Sequence, residues 1–345
     1  MQRLSRFEAI VCSPRATVAE VLARIEQATP NLFQIVISED GLVLGTITDG
    51  DIRRAMLQGV AMGDSVERCM RTTPILGRVS EDVTNRVFLR RAWFLPVVDT
   101  NGRLDHVLVQ RRFEQPLNRA LVMAGGFGRR LGELTRDKPK PLLPVGGRPI
   151  LDRVIEQLET AGIASIHIAI HYKAEQIRTF IAQRINHAEI TFIEETEPLG
   201  TAGALAQLSN RVDEPVLVVN GDVLTQADLT AMHEFHIRHG YDATVAVSLY
   251  EMQVPFGVIR QSPEGLLAGI DEKPRITHFI AAGLYYLSAE FIALTPRNRP
   301  VDMPELLTIG SGAGLRIGLF PVHEYWKDVG RPGDLAAAHE DHQDR

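Results

Sequence analysis

Four short stretches of this 345-residue chain carry residue types suited to a phosphorylated substrate. The first is Ala124-Gly125-Gly126-Phe127-Gly128-Arg129-Arg130, followed by Lys138-Pro139-Lys140-Pro141. Glycines let backbone N–H groups approach phosphate oxygens and a base edge, and Arg130 and Lys140 add the positive charge that a triphosphate requires. The loop is neither a dinucleotide fingerprint, because position 131 is Leu, nor a Walker A loop, because no Gly-Lys-Ser/Thr follows. The second stretch, Glu194-Glu195-Thr196-Glu197-Pro198-Leu199-Gly200-Thr201, ends a strand and opens a helix. A carboxylate only accepts hydrogen bonds, so Glu195 suits guanine, with its adjacent N1–H and N2–H2 donors, better than uracil or thymine. The third and fourth, Asn220-Gly221-Asp222 and Trp326-Lys327-Asp328, each deliver a carboxylate to a strand end. Taken singly, either aspartate could cap a turn; together they match the one or two carboxylates that Mg²⁺ takes beside phosphate oxygens and water.

Lysine usage points to the same places. Lys138, Lys140, Lys173, Lys273 and Lys327 are the only lysines, against 32 arginines, and residues 1–137 have none. A chain that writes Arg almost everywhere keeps Lys where a compact ammonium is needed. Net charge is −6, which excludes bulk electrostatic attraction to nucleic acid. The N-terminal residues hold no apolar run of a signal peptide, and no stretch approaches the ~20 apolar residues of a membrane span. Cys12 and Cys69 form no C-x-x-C or paired framework and read as reduced thiols, so the expected setting is cytoplasmic.

These stretches need a sheet to position them. Beyond residue 117, strands are expected over 119–124, 165–171, 190–195, 216–220, 243–250 and 279–288, and helices over 150–161, 174–185, 202–210 and 228–238. Near-continuous apolar strands between amphipathic helices imply an α/β unit, a mostly parallel sheet with helices on both faces. Ligands in such sheets lie at the carboxyl ends of the strands, where the four stretches fall. His233, His236 and His239 are spaced three apart on the last of these helices; they fit no known zinc spacing and read as its solvated polar face. Residues 339–345 read as a frayed end.

The first 116 residues differ in character, with net charge +1 against −7 for the rest. A helix over 17–28 leads to a strand at 34–37, a turn at Glu39-Asp40-Gly41, a strand at 42–47 and a helix at 52–58. The order recurs as a helix over 83–91, a strand at 94–98, a turn at Asp99-Thr100-Asn101-Gly102 and a strand at 104–109. Such self-similarity is an internal repeat, about 8–60 and 62–113. The join to the second unit is expected at 112–118.

The doubled unit resembles a tandem pair of CBS domains, on Gly45-Thr46-Ile47-Thr48-Asp49-Gly50-Asp51. The resemblance implies that Thr48 and Asp51 hold the ribose of an adenine nucleotide. Both residues could instead simply cap the helix that follows. The second copy lacks the Thr-x-x-Asp, which leaves one working site or none. Residues 117–345 resemble the sugar-1-phosphate nucleotidyltransferases, such as the mannose-1-phosphate guanylyltransferases, through the glycine loop, Lys-Pro-Lys140-Pro and both aspartate stretches. The family implies a Rossmann-like, GT-A-type fold and a Mg²⁺-dependent reaction of a nucleoside triphosphate with a sugar-1-phosphate. Arg130, Lys140 and Asp222 would be catalytic, and Asp222 and Asp328 the metal ligands. Ala124, Gly125, Gly126, Gly128, Arg129, Glu195, Gly200 and Thr201 would bind the nucleotide; Gly257, Glu272, Lys273 and Gly283 would bind the sugar phosphate. Arg129 departs from the family, standing where Thr or Ser is common. Glu195 and the CBS pair together favour GTP, with glucosamine-1-phosphate or mannose-1-phosphate as acceptor, for surface glycan or legionaminate-type nonulosonate biosynthesis. UTP, CTP or dTTP, and a non-catalytic nucleotide sensor, stay open. A GT-A glycosyltransferase would want an Asp-x-Asp that Asn220-Gly221-Asp222 does not supply. The resemblance also implies a homodimer or higher oligomer.

Overall fold

The computed structural model describes residues 2–28, 31–89, 92–109, 117–208, 214–297 and 299–342. The chain divides into two compact units, Met1–Pro116 and Leu117–Arg345. The expected join at 112–118 lies almost wholly outside the described residues. No described helix is long and apolar enough to cross a membrane.

In the first unit, two antiparallel strand pairs repeat the same order: Phe33–Ile37 with Val43–Thr48, and Phe94–Val98 with Leu104–Val109. Phe33 and Phe94, which open equivalent strands, stack face to face with ring centroids 4.0 Å apart. They lie in one apolar cluster with Ile35, Val107 and Val109. The two turns bond reciprocally, Val43 N–H to the Gly102 carbonyl at 3.2 Å and Leu104 N–H to the Gly41 carbonyl at 3.1 Å. The helix Val18–Gln27 starts at a capping box between Thr17 and Glu20, a cap worth about 1 kcal/mol.

The second unit is built on a seven-stranded sheet. Its order is Glu189–Glu194, Ser165–Ile170, Arg119–Met123, Val216–Asn220, Arg275–Leu287, Ala243–Gln253, Ile317–Val322. Arg275–Leu287 runs antiparallel to both neighbours, and the remaining pairings are parallel. The strand interiors, including Leu121, Ile168, Val218 and Leu284, are fully buried, as two covered faces require. From Arg119–Met123 the chain moves outward through two strands, then returns to place Val216–Asn220 on the other side of the first. The carboxyl ends of these two strands therefore form the topological switch point of the sheet.

Several elements depart from the sequence expectation. Ala243–Gln253 and Arg275–Leu287 extend beyond the sheet as a two-stranded ribbon, with the hairpin Val258–Gln261 and Leu267–Asp271 between them. The helix expected over 202–210 is helical over Leu205–Leu208, and residues 209–213 lie outside the described residues. His233 and His236 are not on a solvated face: both are 3% exposed. His233 Nδ1 lies 2.8 Å from the Tyr286 hydroxyl and His236 Nδ1 3.0 Å from Thr244 Oγ1. Burial, with His233 nearby, pushes His236 down to about 4, so His236 stays neutral in a polar patch of the core. The tail is not frayed up to residue 342. Pro332–Asp341 is a helix, and Asp341 binds Lys327 at 2.5 Å and the Tyr325 hydroxyl at 2.9 Å.

Glu159 ties the end of helix Ile150–Thr160 to the turn after Ala174–Gln183. It accepts two bonds from Arg184, at 2.8 and 3.1 Å, and further bonds from the N–H groups of His187 and Ala188. Burial alone would raise its pKa, but these donors override it and hold the carboxyl at about 2. A depressed carboxylate stabilises fully above its unfolded value of 4.5, and that contribution is lost as pH falls through about 2. Glu159→Gln should therefore lower the melting temperature by about 2–4 °C at neutral pH, the gap to wild type closing in acid. Melting curves recorded across pH check this, and a gap that persists at the acid end would contradict it.

Candidate active site

The switch point holds a cavity of about 320 Å³. Ala124, Gly125, Gly126, Gly128, Arg129, Arg130, Lys140, Glu195, Gly200, Thr201 and Asp222 all line it. A more open hollow of about 440 Å³ lies against helix Ile150–Thr160, lined by Glu156, Gln157 and Thr160 among others. It contains neither the glycine loop nor the paired strand-end carboxylates, so the smaller cavity is the chemically equipped one.

The two strands meet where Gly221 N–H donates to the Met123 carbonyl at 2.9 Å. A Cβ on Gly221 would sit 2.7 Å from that carbonyl, so only glycine lets the strands cross this closely. Asp222 follows at once. The short strand Val223–Thr225 then pairs antiparallel with Trp326–Asp328, setting Asp328 opposite Val223. Asp222 lines the cavity, and Asp328, from a distant part of the chain, is brought beside the lining residue Lys140 without itself lining the cavity.

Lys140 lies between them. Its Nζ is 2.5 Å from Asp222 Oδ2 and 3.9 Å from Asp328 Oδ1, and the residue is 7% exposed. Burial and the Asp222 charge push the Asp328 carboxyl up, against the pull of Lys140 and Arg130. Asp328 Oδ1 is buried without a hydrogen-bond partner. A buried orphan acceptor beside a second carboxylate suits a hard cation with oxygen ligands. Arg130 is close, its guanidinium carbon 3.6 Å from where a Cβ on Gly330 would lie.

Glu195 is not a solvated strand end. It is 6% exposed, and its Oε1 is buried with no partner. Burial pushes its carboxyl up, offset in part by the Leu199 backbone and by His171. A Cβ on Gly125 would meet Glu195 Oε2 at 3.0 Å, so glycine there lets the carboxyl lie against the loop backbone. The loop is held from below. Thr135 Oγ1 donates to the Gly128 and Gly132 carbonyls, and the Tyr172 hydroxyl donates to the Thr135 carbonyl at 3.1 Å. Phe127 packs against His171 and Tyr172, and the Arg129 guanidinium lies 5.0 Å from the Phe127 ring centre. Thr201 N–H donates to Asp302 Oδ1 at 2.9 Å.

The remaining expected residues lie elsewhere. Gly283 adjoins the Asn220 side chain, whose Oδ1 is also buried and unpartnered. Gly257 and Glu272 neighbour each other on the ribbon, and Lys273 follows in a left-handed backbone with φ 46°. Gly257, Glu272 and Lys273 are exposed and do not line the cavity. Asn220, His171, Tyr172, Thr135 and Asp302 were not anticipated. Asn220 alone had a signal, its place one residue from Gly221. In the first unit, Thr48 and Asp51 form a capping box for helix Asp49–Leu57. Asp51 Oδ2 accepts from Thr48 N–H at 3.0 Å and from its hydroxyl at 2.7 Å, while Arg54 binds Oδ1.

Residues 119–345 match the nucleotidyl transferase family along their whole length. The chain belongs to that family. As a nucleotidyl transferase it carries an additional N-terminal segment, of which residues 3–58 match the CBS domain. It is 33% identical over 226 residues to mannose-1-phosphate guanylyltransferase 1 of Arabidopsis thaliana, covering 63% of this chain and 62% of the relative. It is 30% identical over 224 residues to the catalytic subunit beta of the Drosophila pseudoobscura pseudoobscura enzyme, covering 63% and 60%. The match thus spans about three-fifths of the length of these relatives. Among solved structures, HddC from Yersinia pseudotuberculosis complexed with GMP-PN is similar, at 27% identity and TM-score 0.51, covering 65% of this chain and 99% of HddC.

The buried Glu195 makes a stability prediction. A carboxyl whose pKa is raised by folding destabilises the fold once pH exceeds its unfolded value. Glu195→Gln should melt above wild type at pH 8, the two converging below about pH 4. Melting curves across pH check this; a wild type that is the more stable at pH 8 would mean that Glu195 has a compensating donor.

Proposed function

We propose that this nucleotidyl transferase makes a nucleotide-sugar and pyrophosphate from a nucleoside triphosphate and a sugar-1-phosphate, with GTP as donor. The observation that carries the reading is the trio of Lys140, Asp222 and Asp328, of which Lys140 and Asp222 line a glycine-walled cavity and Asp328 lies beside Lys140. The sugar-phosphate oxygen attacks the α-phosphorus in line, the bond from that phosphorus to the bridging oxygen breaks, and pyrophosphate leaves with its electron pair. The attacking oxygen is already ionised, so no protein nucleophile is required. Arg130, Lys140 and the loop amides hold the triphosphate and stabilise charge as it grows on the leaving group. Asp222 and Asp328 would hold a divalent cation, Mg²⁺ by preference, which supplies charge neutralisation at the phosphates. Glu195, which lines the cavity and has a buried acceptor without a partner, would take the N1–H and N2–H2 donors of guanine. The guanylyltransferase relatives and the GMP-PN complex of HddC support the choice of GTP. Gly283, beside Val223 and Asn220, would adjoin the sugar phosphate, and Gly257, Glu272 and Lys273 would close over it from the ribbon. Mannose-1-phosphate and glucosamine-1-phosphate are the acceptors to test first, with surface glycan or nonulosonate synthesis as the destination.

The expected outcome is Mg²⁺-dependent pyrophosphate release with GTP and one of these sugar phosphates, at least tenfold faster than with ATP, UTP, CTP or dTTP. Asp222→Asn should lower turnover by about a thousandfold or more, and retained turnover would contradict the metal assignment. Release with UTP, CTP or dTTP in place of GTP would overturn the base reading of Glu195 alone.

The first unit reads as a paired CBS module that regulates the enzyme through an adenine nucleotide. The Thr48–Asp51 box would need to exchange its internal bonds for the ribose hydroxyls. AMP or ATP should raise the melting temperature of wild type and not of Asp51→Ala. No shift in wild type would remove the ligand from the account.

A further inference from the structure

The Glu195 side of the cavity is tied to a distant segment through one acidic side chain. Asp302 stands at the N-cap of helix Met303–Gly312, yet its carboxylate makes no bond to that helix. An aspartate there ordinarily accepts from a backbone N–H of the first turn. Instead Asp302 Oδ1 accepts from Thr201 N–H at 2.9 Å and from the Thr201 hydroxyl at 3.3 Å. The exchange is mutual. Thr201 Oγ1 accepts from Met303 N–H at 2.8 Å, serving the helix end that the Asp302 side chain leaves alone.

Main-chain bonds complete the clasp. Val301 N–H donates to the Leu199 carbonyl at 2.8 Å, and Ala202 N–H donates to the Val301 carbonyl at 2.9 Å. The segments lie so close that a Cβ on Gly200 would sit 2.6 Å from the Val301 carbonyl oxygen and 2.8 Å from Asp302 Oδ1. Pro198, Gly200 and Thr201 line the cavity together with Glu195. Leu199 joins the clasp to Glu195, because Val301 holds its carbonyl and its backbone is hydrogen-bonded to the Glu195 carboxyl. Thr201 directs both its N–H and its hydroxyl proton at Asp302, so it shapes the pocket wall and does not offer those donors to a ligand.

A carboxylate discriminates between bases only if it is held in place, since a group free to move accepts a donor wherever a base presents one. We propose that Asp302 is a positioning residue for base recognition: it fixes loop 199–201 and, through Leu199, the Glu195 carboxylate against the base of the bound nucleotide. This rests on the reading of Glu195 as the base-recognising group. Asp302 is exposed and does not line the cavity, so it acts through the loop and not by touching substrate. Its effect falls on nucleotide binding and selectivity and spares the chemical step.

Steady-state kinetics of the full-length chain with Mg²⁺ and GTP or UTP, beside equilibrium binding of each nucleotide, tests this. Asp302→Ala is expected to raise KM and Kd for GTP about tenfold with kcat nearly unchanged, and to shrink the preference for GTP over UTP by about the same factor. Asp302→Asn keeps an acceptor oxygen for Thr201 and should restore both. Amide exchange at Thr201 should be slow in wild type and Asp302→Asn and faster in Asp302→Ala. If Asp302→Ala does not fold, Thr201→Val, which removes the bridging hydroxyl, should narrow the preference in the same direction. A folded variant of either kind with wild-type preference would overturn the proposal. So would an equal loss for both nucleotides, or an Asp302→Asn no better than Asp302→Ala. Glu195→Gln separates the two claims. Preference lost in Glu195→Gln but kept in Asp302→Ala removes the positioning role alone; preference kept in Glu195→Gln removes the base reading and the proposal with it.

Discussion

Two carboxylates at one strand-end edge repel each other, and the site depends on how that repulsion is managed. Asp222 and Asp328 are brought together by the short pairing of Val223–Thr225 with Trp326–Asp328, far from each other in the chain. The Lys140 ammonium, nearly buried, stands against both. It answers Asp222 closely and Asp328 only at a distance, leaving one Asp328 oxygen with no hydrogen bond. An arrangement with acceptor capacity left over, in a cavity walled by backbone amides and Arg130, favours a cation and phosphate oxygens over an empty state. Stability is given up locally at this edge, as is common where binding groups are preorganised.

The rest of the second unit holds that edge in place. The strand crossing at Gly221 and Met123 sets the position of Asp222. The Tyr172–Thr135–Gly128 chain of hydrogen bonds sets the glycine loop against it. Lys327, beside Asp328, is anchored to the last helix through Asp341, so the C-terminal helix supports the second carboxylate. The histidines of helix Leu229–His239 serve the core. Buried and bonded to Tyr286 and Thr244, His233 and His236 lock that helix onto the sheet.

The inner strands and the glycine loop were legible in the sequence because burial on both faces writes continuous apolar runs, and because a phosphate loop needs glycines next to cations. Lys140 and the two aspartates stood out by type and context. The helix of His233 and His236 was misread because its partners, Thr244 and Tyr286, come from strands that local periodicity cannot see. Ile317–Val322 escaped because it joins the sheet through a partner distant in sequence and contains Pro321. Met303–Gly312 escaped because Gly310 and Gly312 are poor helix formers; Gly310 is needed where it packs against the Phe291 ring. The outer part of the ribbon, residues 251–253 and 275–278, carries apolar residues without the two-residue alternation that marks a strand. Supporting groups such as Tyr172, Asp302 and Asn220 act through contacts that only the folded chain creates.

The central claim is that Asp222 and Asp328 hold a divalent cation together with a nucleoside triphosphate at the switch point. Its most direct test is electron paramagnetic resonance of Mn²⁺, standing in for Mg²⁺, titrated into the protein with and without GTP. The account predicts a bound Mn²⁺ signal with GTP that weakens at least tenfold in Asp222→Asn and in Asp328→Asn, both variants remaining folded. Binding that is equally tight in wild type and both variants would contradict it.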